Sequence, residues 1–145
     1  MAESRRNQSH LGIDSNILVA YLVPDHLDRE LMRPLAKKMH AVNPTVIHET
    51  YHTCVFKLRR NPEVTARSLL EYMKQSLCLP INSDTVDLGL KFALEYRIGG
   101  RDALILASYA SSDHLRRFVT LDQSLLAIKE VTVGKRSLRI VKPNP

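Results

Sequence analysis

Short apolar runs alternate along this chain with longer segments in which apolar residues recur at three- and four-residue intervals. The short runs have the aliphatic and β-branched character of strands, and they occupy residues 11–13, 45–47, 77–81, 117–120 and 137–141. Several of the longer segments begin at Ser, Asn or Asp, which are preferred helix caps. Strands that alternate with helices predict an α/β fold, with a central parallel β-sheet flanked by helices.

Proline, glycine and capping residues set the predicted helix boundaries. A helix is predicted over residues 17–22, and Pro24 prevents it from continuing. A second helix, over residues 25–39, contains Pro34, which kinks or restarts it. Further helices are predicted over residues 48–60, 62–77, 83–98, 103–111 and 123–128. In the helix that starts near Ser83, the apolar face is expected to comprise Val86, Leu90, Ala93 and Leu94, and the helix ends at Gly99 and Gly100.

Four acidic residues lie at junctions between these elements. Asp14, Glu49 and Asp122 each follow a predicted strand, and Asp102 opens an apolar helix. In an open parallel sheet, ligands bind in the crevice outside the carboxyl ends of the strands. We therefore expect the four acids to converge in that crevice.

Two interpretations of the acids remain open from the residues alone. Asp14, Asp102 and Asp122 each suit a helix N-cap, and Glu49 suits a first helical turn, where a carboxylate interacts favourably with the helix dipole. Capping does not explain why a carboxylate occupies so many junctions at which Ser or Thr would serve. A shared Mg²⁺ or Mn²⁺ ion, which prefers oxygen ligands, explains the whole set. Without an ion the acids would repel one another, and at least one pKa would be raised.

The composition narrows the classes of protein. The 145 residues, of which 44% are hydrophobic, suffice for one packed domain, which we place at residues 11–142 after a flexible arm over residues 1–10. The net charge of +6 favours a polyanionic partner, with ordinary surface charge as the alternative.

Cys54 and Cys78 form no metal motif. No run reaches the roughly 20 apolar residues of a membrane span, and the polar start has no signal-peptide pattern, so we expect a cytoplasmic location.

The four acidic motifs resemble those of PIN domains. The matching segments are Ile13-Asp-Ser-Asn-Ile-Leu, Glu49 at a strand-to-helix turn, Arg101-Asp-Ala-Leu-Ile-Leu-Ala and Val119-Thr-Leu-Asp, in the order of the family. The resemblance implies an α/β/α sandwich and a Mg²⁺- or Mn²⁺-dependent ribonuclease. It implies that the catalytic, metal-binding acids are Asp14, Glu49, Asp102 and Asp122, and that Asn16 and Thr120 are accessory residues.

A single PIN domain of this size is most similar to VapC-type toxins of toxin–antitoxin pairs. That similarity implies an endoribonuclease that hydrolyses RNA with a metal-activated water, a small antitoxin in the acidic groove, and a homodimer. Candidate contacts to RNA phosphates flank the acid motifs, with solvated charge as the alternative for each: Lys57, Arg59, Arg60, Arg97 and Arg101. The other reading of the family is a non-catalytic nucleic-acid-binding domain, and the presence of all four acids favours the nuclease.

A competing motif overlaps one of the acids. His48-Glu-Thr-Tyr-His52 is a literal H-E-x-x-H on a predicted helix, a pattern that binds Zn²⁺ in metalloproteases with the glutamate as general base. A third zinc ligand would be needed, and the conceivable residues, His114 and Glu71, stand in no recognisable motif. The zinc-protease hypothesis also gives the other three acids no role, so it ranks below the nuclease.

Overall fold

A computed structural model describes residues 10–143, which form a six-stranded sheet flanked by helices. The strands are β1 (His10–Ile13), β2 (His40–Val42), β3 (Leu77–Cys78), β4 (Leu115–Val119), β5 (Glu130–Val133) and β6 (Arg136–Val141). Their order across the sheet is β3-β2-β1-β4-β6-β5, and all neighbours run parallel except the hairpin pair β5 and β6. The predicted α/β class with a mostly parallel sheet is therefore confirmed. The arm predicted over residues 1–10 lies outside the described residues, except for His10, which begins β1.

Six α-helices connect or follow the strands. They are α1 (Ser15–Leu22), α2 (Pro44–His52), α3 (Pro62–Lys74), α4 (Ser83–Tyr96), α5 (Gly100–Ala110) and α6 (Gln123–Leu126). A π-helical turn, Thr53–Lys57, continues α2, and a 3₁₀ helix, Arg29–Leu35, precedes β2. Within residues 10–143, no helix has both the length and the apolar composition needed to cross a membrane.

The strand predicted over residues 45–47 is wrong, because those residues lie in the first turns of α2. Asn43 caps this helix with its side chain, which accepts a hydrogen bond from the backbone N–H three residues later, and Pro44 takes the first helical position. Both residues favour a helix start, and together they override the β-branched character of the segment. The strand at this point is β2, which ends before Asn43. Glu49 therefore lies inside a helix and does not directly follow a strand.

Other predicted elements also need correction. Asp102 does not cap α5, since the helix begins at Gly100 and Asp102 lies within its first turn. The helix predicted over residues 25–39 is replaced by the 3₁₀ helix, which contains Pro34; the missing N–H of a proline disfavours a regular α-helix there. The sequence patterns also did not predict β5, which pairs with β6 as an antiparallel hairpin.

α4 buries a different face from the one that its hydrophobic pattern predicts. Val86, Leu90 and Leu94 are 43%, 62% and 83% exposed, whereas Phe92 and Gly89 are buried. A Cβ added at Gly89 would lie 3.2 Å from the Leu104 Cα, so the glycine permits the close approach of α4 to α5. This approach turns the stripe of Val86, Leu90 and Leu94 away from the core.

Gly12 in β1 lies against Tyr109 of α5, at the point where the helix is fixed to the sheet. Tyr109 is fully buried, and its hydroxyl donates a 2.6 Å hydrogen bond to the carbonyl oxygen of Ile13. A Cβ at position 12 would lie 2.7 Å from Leu115 Cδ2 and 2.8 Å from the Tyr109 ring. The contact therefore requires a glycine, directly before the strand end that carries Asp14.

We expect Gly12→Ala to lower the free energy of unfolding by about 1–3 kcal/mol, the usual effect of overpacking a core. Urea denaturation of Gly12→Ala beside Gly100→Ala measures this effect. A Cβ at Gly100 meets no atom within 4 Å, so Gly100→Ala should be neutral or slightly stabilising. A Gly12→Ala protein as stable as wild type would contradict the close packing of Tyr109.

Candidate active site

Asp14 lies at the carboxyl end of β1 and is 3% exposed. Its Oδ1 atom accepts a 2.8 Å hydrogen bond from the Ser15 backbone N–H, which makes Asp14 the N-cap of α1. Its Oδ2 atom accepts hydrogen bonds from the Thr120 hydroxyl at 2.7 Å and from the Asn16 side-chain amide at 3.4 Å. The capping interpretation of Asp14 is therefore correct, and it leaves the second oxygen held by the accessory residues Thr120 and Asn16.

Thr120 and Asn16 also join the ends of the neighbouring strands β1 and β4. The Thr120 hydroxyl oxygen accepts hydrogen bonds from the Asn16 amide at 3.3 Å and from the Asp122 backbone N–H at 3.0 Å. The Asn16 side-chain oxygen accepts a 3.1 Å hydrogen bond from the Leu121 backbone N–H. These bonds fix the position of Asp14 relative to the segment that carries Asp122.

Glu49 reaches the same region from α2. One of its carboxylate oxygens, Oε2, accepts a 3.1 Å hydrogen bond from the Ser15 hydroxyl on α1. The other, Oε1, is buried and has no hydrogen-bond partner among residues 10–143. A buried carboxylate oxygen without a partner is costly, so this atom is suited to bind a ligand that the protein does not itself supply.

Asp102 and Asp122 complete the cluster from α5 and from the start of α6. Asp122 caps α6, and its Oδ1 accepts hydrogen bonds from the Ser124 backbone N–H at 2.8 Å and the Ser124 hydroxyl at 2.6 Å. Partial burial raises the pKa of Asp102, and the negative charges of Asp122 and Glu49 raise it further, while Arg101 acts in the opposite direction. Asp102 therefore lies within electrostatic reach of two other members of the cluster.

Burial raises the pKa of Asp14 to about 6, and the charges of Asp102 and Glu49 contribute to the same shift. The hydrogen bonds from Thr120 and from the Ser15 N–H limit this increase, because they stabilise the ionised form. All four acids are thus linked by mutual repulsion. The structure brings together the set that the sequence analysis singled out, although Glu49 and Asp102 arrive from within helices.

The donor set suits a divalent cation of the Mg²⁺ or Mn²⁺ type. The residues offer carboxylate oxygens, which such ions prefer, and Glu49 Oε1 is a buried acceptor without a partner in the described part of the chain. In that same part, no three His, Cys, Asp or Glu side chains already form a metal-holding group. The cluster is therefore a set of converging donors and not a closed coordination shell.

The basic residues that the sequence analysis proposed as phosphate contacts differ in their surroundings. Arg101 lies beside Asp102 and opposes the rise in its pKa. Arg60 forms a 2.8 Å ion pair with Asp25. The remaining three are exposed, and two of them have left-handed backbone conformations: Lys57, Arg59 (φ 57°) and Arg97 (φ 55°). Arg101 is the candidate whose interaction with the acid cluster is visible.

The H-E-x-x-H segment does not gain a third ligand among the described residues. His48 and His52 are both exposed on α2. The His114 ring lies 6.3 Å from the ring of His10, at the start of β1 and therefore at the opposite end of that strand from Asp14. Glu71 forms a 3.1 Å ion pair with Lys74 on α3. The geometry therefore favours Glu49 as a member of the acid cluster.

We expect Thr120→Val to raise the pKa of Asp14 above about 6, because the variant removes a hydrogen bond that stabilises the carboxylate. An NMR titration of the side-chain carboxyl carbons in the presence of EDTA measures the shift. Ser124→Ala is the matched control, since the Ser124 hydroxyl binds Asp122 and not Asp14. An unchanged or lowered Asp14 pKa in Thr120→Val would show that this hydrogen bond does not tune the site.

Comparisons with known proteins identify the family and the fold of this chain. A family model described as "PIN domain" matches residues 12–131. A comparison with curated proteins finds no match. A toxin–antitoxin complex from Klebsiella pneumoniae has a similar structure, with a TM-score of 0.67 and 18% identity over 94% of this chain and 98% of that chain.

Two further solved structures share the fold. VapC20 from Mycobacterium tuberculosis, described as a toxin that cleaves the sarcin-ricin loop, gives a TM-score of 0.69 and 14% identity over 85% of this chain and 98% of that chain. VapBC2 from Rickettsia felis, bound to a DNA fragment from its promoter, gives a TM-score of 0.61 and 14% identity over 90% of this chain and 98% of that chain. At these identities the likeness shows the fold alone.

Proposed function

The chain belongs to the PIN domain family, and from this premise we propose that it is a Mg²⁺- or Mn²⁺-dependent endoribonuclease, the toxin of a toxin–antitoxin pair. The observation that carries the proposal is the convergence of Asp14, Glu49, Asp102 and Asp122 at one edge of the sheet. Burial of mutually repelling carboxylates is unfavourable unless a cation accompanies them. The site is therefore built for a function and is not explained by stability alone.

The four carboxylates would hold the cation, with Glu49 Oε1 as a free acceptor among the described residues. A Mg²⁺ or Mn²⁺ ion in such a site supplies Lewis-acid stabilisation of the charge that develops on a phosphate during hydrolysis. Thr120 and Asn16 hold Asp14 in one orientation, and Ser15 does the same for Glu49. Arg101, beside Asp102, is the cation best placed to contact a substrate phosphate near the acids.

The substrate and the partner are proposed from the neighbours. VapC20 is described as cleaving the sarcin-ricin loop, which supports RNA as the substrate, and the K. pneumoniae structure is a toxin–antitoxin complex, which supports an antitoxin partner. We propose that the antitoxin occupies the acidic groove with a basic side chain against the carboxylates. The homodimer that the family resemblance implies, through helices near the N-terminal half, also stays a proposal, which light scattering on the purified chain would test by a doubled mass.

The direct test is incubation of the purified protein with a structured RNA in Mg²⁺ or Mn²⁺, against the same reaction in EDTA. The expected result is cleavage that requires the metal and leaves a 5′-phosphate and a 3′-hydroxyl. RNA binding without cleavage in every metal condition would instead support the non-catalytic alternative. Peptide hydrolysis that is lost in His52→Ala would support the zinc protease.

A further inference from the structure

Four cations surround a shallow cavity of about 190 Å³ on the face of the sheet, away from the residues that flank the acid motifs. They are Lys38, Arg117, Arg139 and Lys142, and we call them the sheet patch. All four are exposed, and no acidic side chain lines the cavity. Within the described range, none of the four forms an ion pair. The sheet patch is therefore a concentration of positive charge whose side chains form no ion pair within residues 10–143.

The two arginines of the sheet patch lie side by side because of the strand register. Arg117 on β4 pairs with Arg139 on β6, and both strands are interior to the sheet. Side chains at paired positions project from the same face, and like charges in such positions destabilise a sheet. Glu130 is the register partner of Arg139 on β5, but its carboxylate accepts a hydrogen bond from Ser137 and forms no ion pair with the arginine. The packing of the fold does not account for this pair.

The sheet patch extends to the carboxyl edge of the sheet, where the acid cluster lies. The Thr120 N–H donates a 3.0 Å hydrogen bond to the carbonyl oxygen of Val141, and Lys142 is the next residue. The Thr120 hydroxyl in turn binds Asp14. At about 3.3 Å per strand residue, Arg117 lies about 10 Å from Thr120 along β4. Arg117 and Thr120 are three residues apart, so their side chains project from opposite faces of the sheet, and an RNA strand that contacts both the acids and the arginines has to cross the carboxyl edge of the sheet.

We propose that the sheet patch binds backbone phosphates of the RNA substrate outside the cleavage site, an inference that rests on the proposed nuclease function. Arginine guanidinium groups bind phosphate oxygens with two parallel hydrogen bonds, so adjacent arginines suit a strand that carries successive phosphates. Binding of this kind is independent of base sequence and depends steeply on salt. The patch thereby fixes the direction in which RNA enters the acid cluster.

The test measures RNA affinity in a cleavage-disabled Asp14→Asn background, by fluorescence anisotropy with a labelled single-stranded RNA in Mg²⁺. Arg117→Gln/Arg139→Gln is compared with the control Arg116→Gln/Lys135→Gln, which removes the same charge at exposed positions outside the cavity. The patch variant should bind about tenfold more weakly, and the slope of log K against log salt should fall by about 1.4, or about 0.7 for each lost phosphate contact. The control should stay within about twofold of its parent.

Thermal unfolding of both variants separates binding from folding. The patch variant should unfold at the same temperature as its parent or higher, because a like-charge pair has been removed. If the patch variant and the control variant bind RNA with equal affinity and equal salt slope, the proposed role of the sheet patch is wrong. RNA cleavage by wild type would in that case still support the proposed nuclease function. If the patch variant binds more weakly but wild type does not cleave RNA, the role of the patch is supported and the nuclease function is wrong. A protein that binds no RNA would overturn both.

Discussion

Asp14→Asn and Asp102→Asn are each expected to reduce metal-dependent RNA cleavage by more than about 100-fold. Loss of a group that only orients a metal ligand already lowers metal affinity or activity by about 10–100-fold, and these acids are proposed as the ligands themselves. Asparagine is also a preferred helix cap, so Asp14→Asn should keep α1 in place while it removes the negative charge. Initial rates over a range of Mn²⁺ concentrations, with calorimetric titration of Mn²⁺, measure both effects.

Asn16→Ala belongs to the same series and should lose about 10–100-fold, because Asn16 orients Asp14 and Thr120 without a proposed contact to the ion. Two variants serve as controls that should retain activity. Asp113→Asn changes an exposed carboxylate that pairs with Arg136, and His52→Ala changes an exposed imidazole outside the acid cluster. Full cleavage by Asp14→Asn and Asp102→Asn would show that the acids do not form the active site.

The four acids could be identified from the sequence because a carboxylate beside an apolar run is unusual and has few roles there, namely helix capping or cation binding. The position of Asp14 after β1 and the capping role of Asp122 both follow from local residues, since an N-cap is defined within a few positions. The sequence analysis assigned Glu49 to the acid cluster from a strand predicted over residues 45–47, but those residues are helical. The pair Asn43 and Pro44 carries the correct signal, which the β-branched residues that follow them obscure.

Features that depend on tertiary packing were not accessible in this way. The hydrophobic stripe of α4 predicts a buried face through Leu90 and Leu94, but the direction of burial is set by the approach of Gly89 to the backbone of α5. The sheet patch depends on the register that places Arg117 beside Arg139, and no local pattern reveals which strands are neighbours. Sequence proximity to the acids therefore selected other cations, of which Arg60 is paired with Asp25.

Asp14 should also make the stability of the metal-free protein depend on pH. Its pKa is raised to about 6 in the folded state from 3.8, so the folded state favours the protonated carboxyl. The stability that this preference contributes is fully present below pH 3.8 and is lost as the pH rises through 6. The difference between the two pKa values corresponds to about 3 kcal/mol of unfolding free energy, at about 1.36 kcal/mol per pKa unit. His40, whose pKa is lowered by burial, has the opposite dependence, which is common to wild type and to an Asp14 variant.

We therefore expect Asp14→Asn to gain about 2.4 kcal/mol of stability relative to wild type in EDTA when the pH is raised from about 4 to about 7.5, which is most of the full difference. Asparagine cannot ionise, so the variant lacks the loss that wild type undergoes. Urea denaturation of both proteins across this pH range measures the difference, in which the contribution of His40 cancels. Added Mn²⁺ should then restore wild type, by about 2.7 kcal/mol at 100 times the dissociation constant, and should leave Asp14→Asn nearly unchanged. If the difference in unfolding free energy between wild type and Asp14→Asn is constant with pH, burial and the acidic neighbours do not raise the pKa of Asp14. The main physical argument for a bound cation would then be lost.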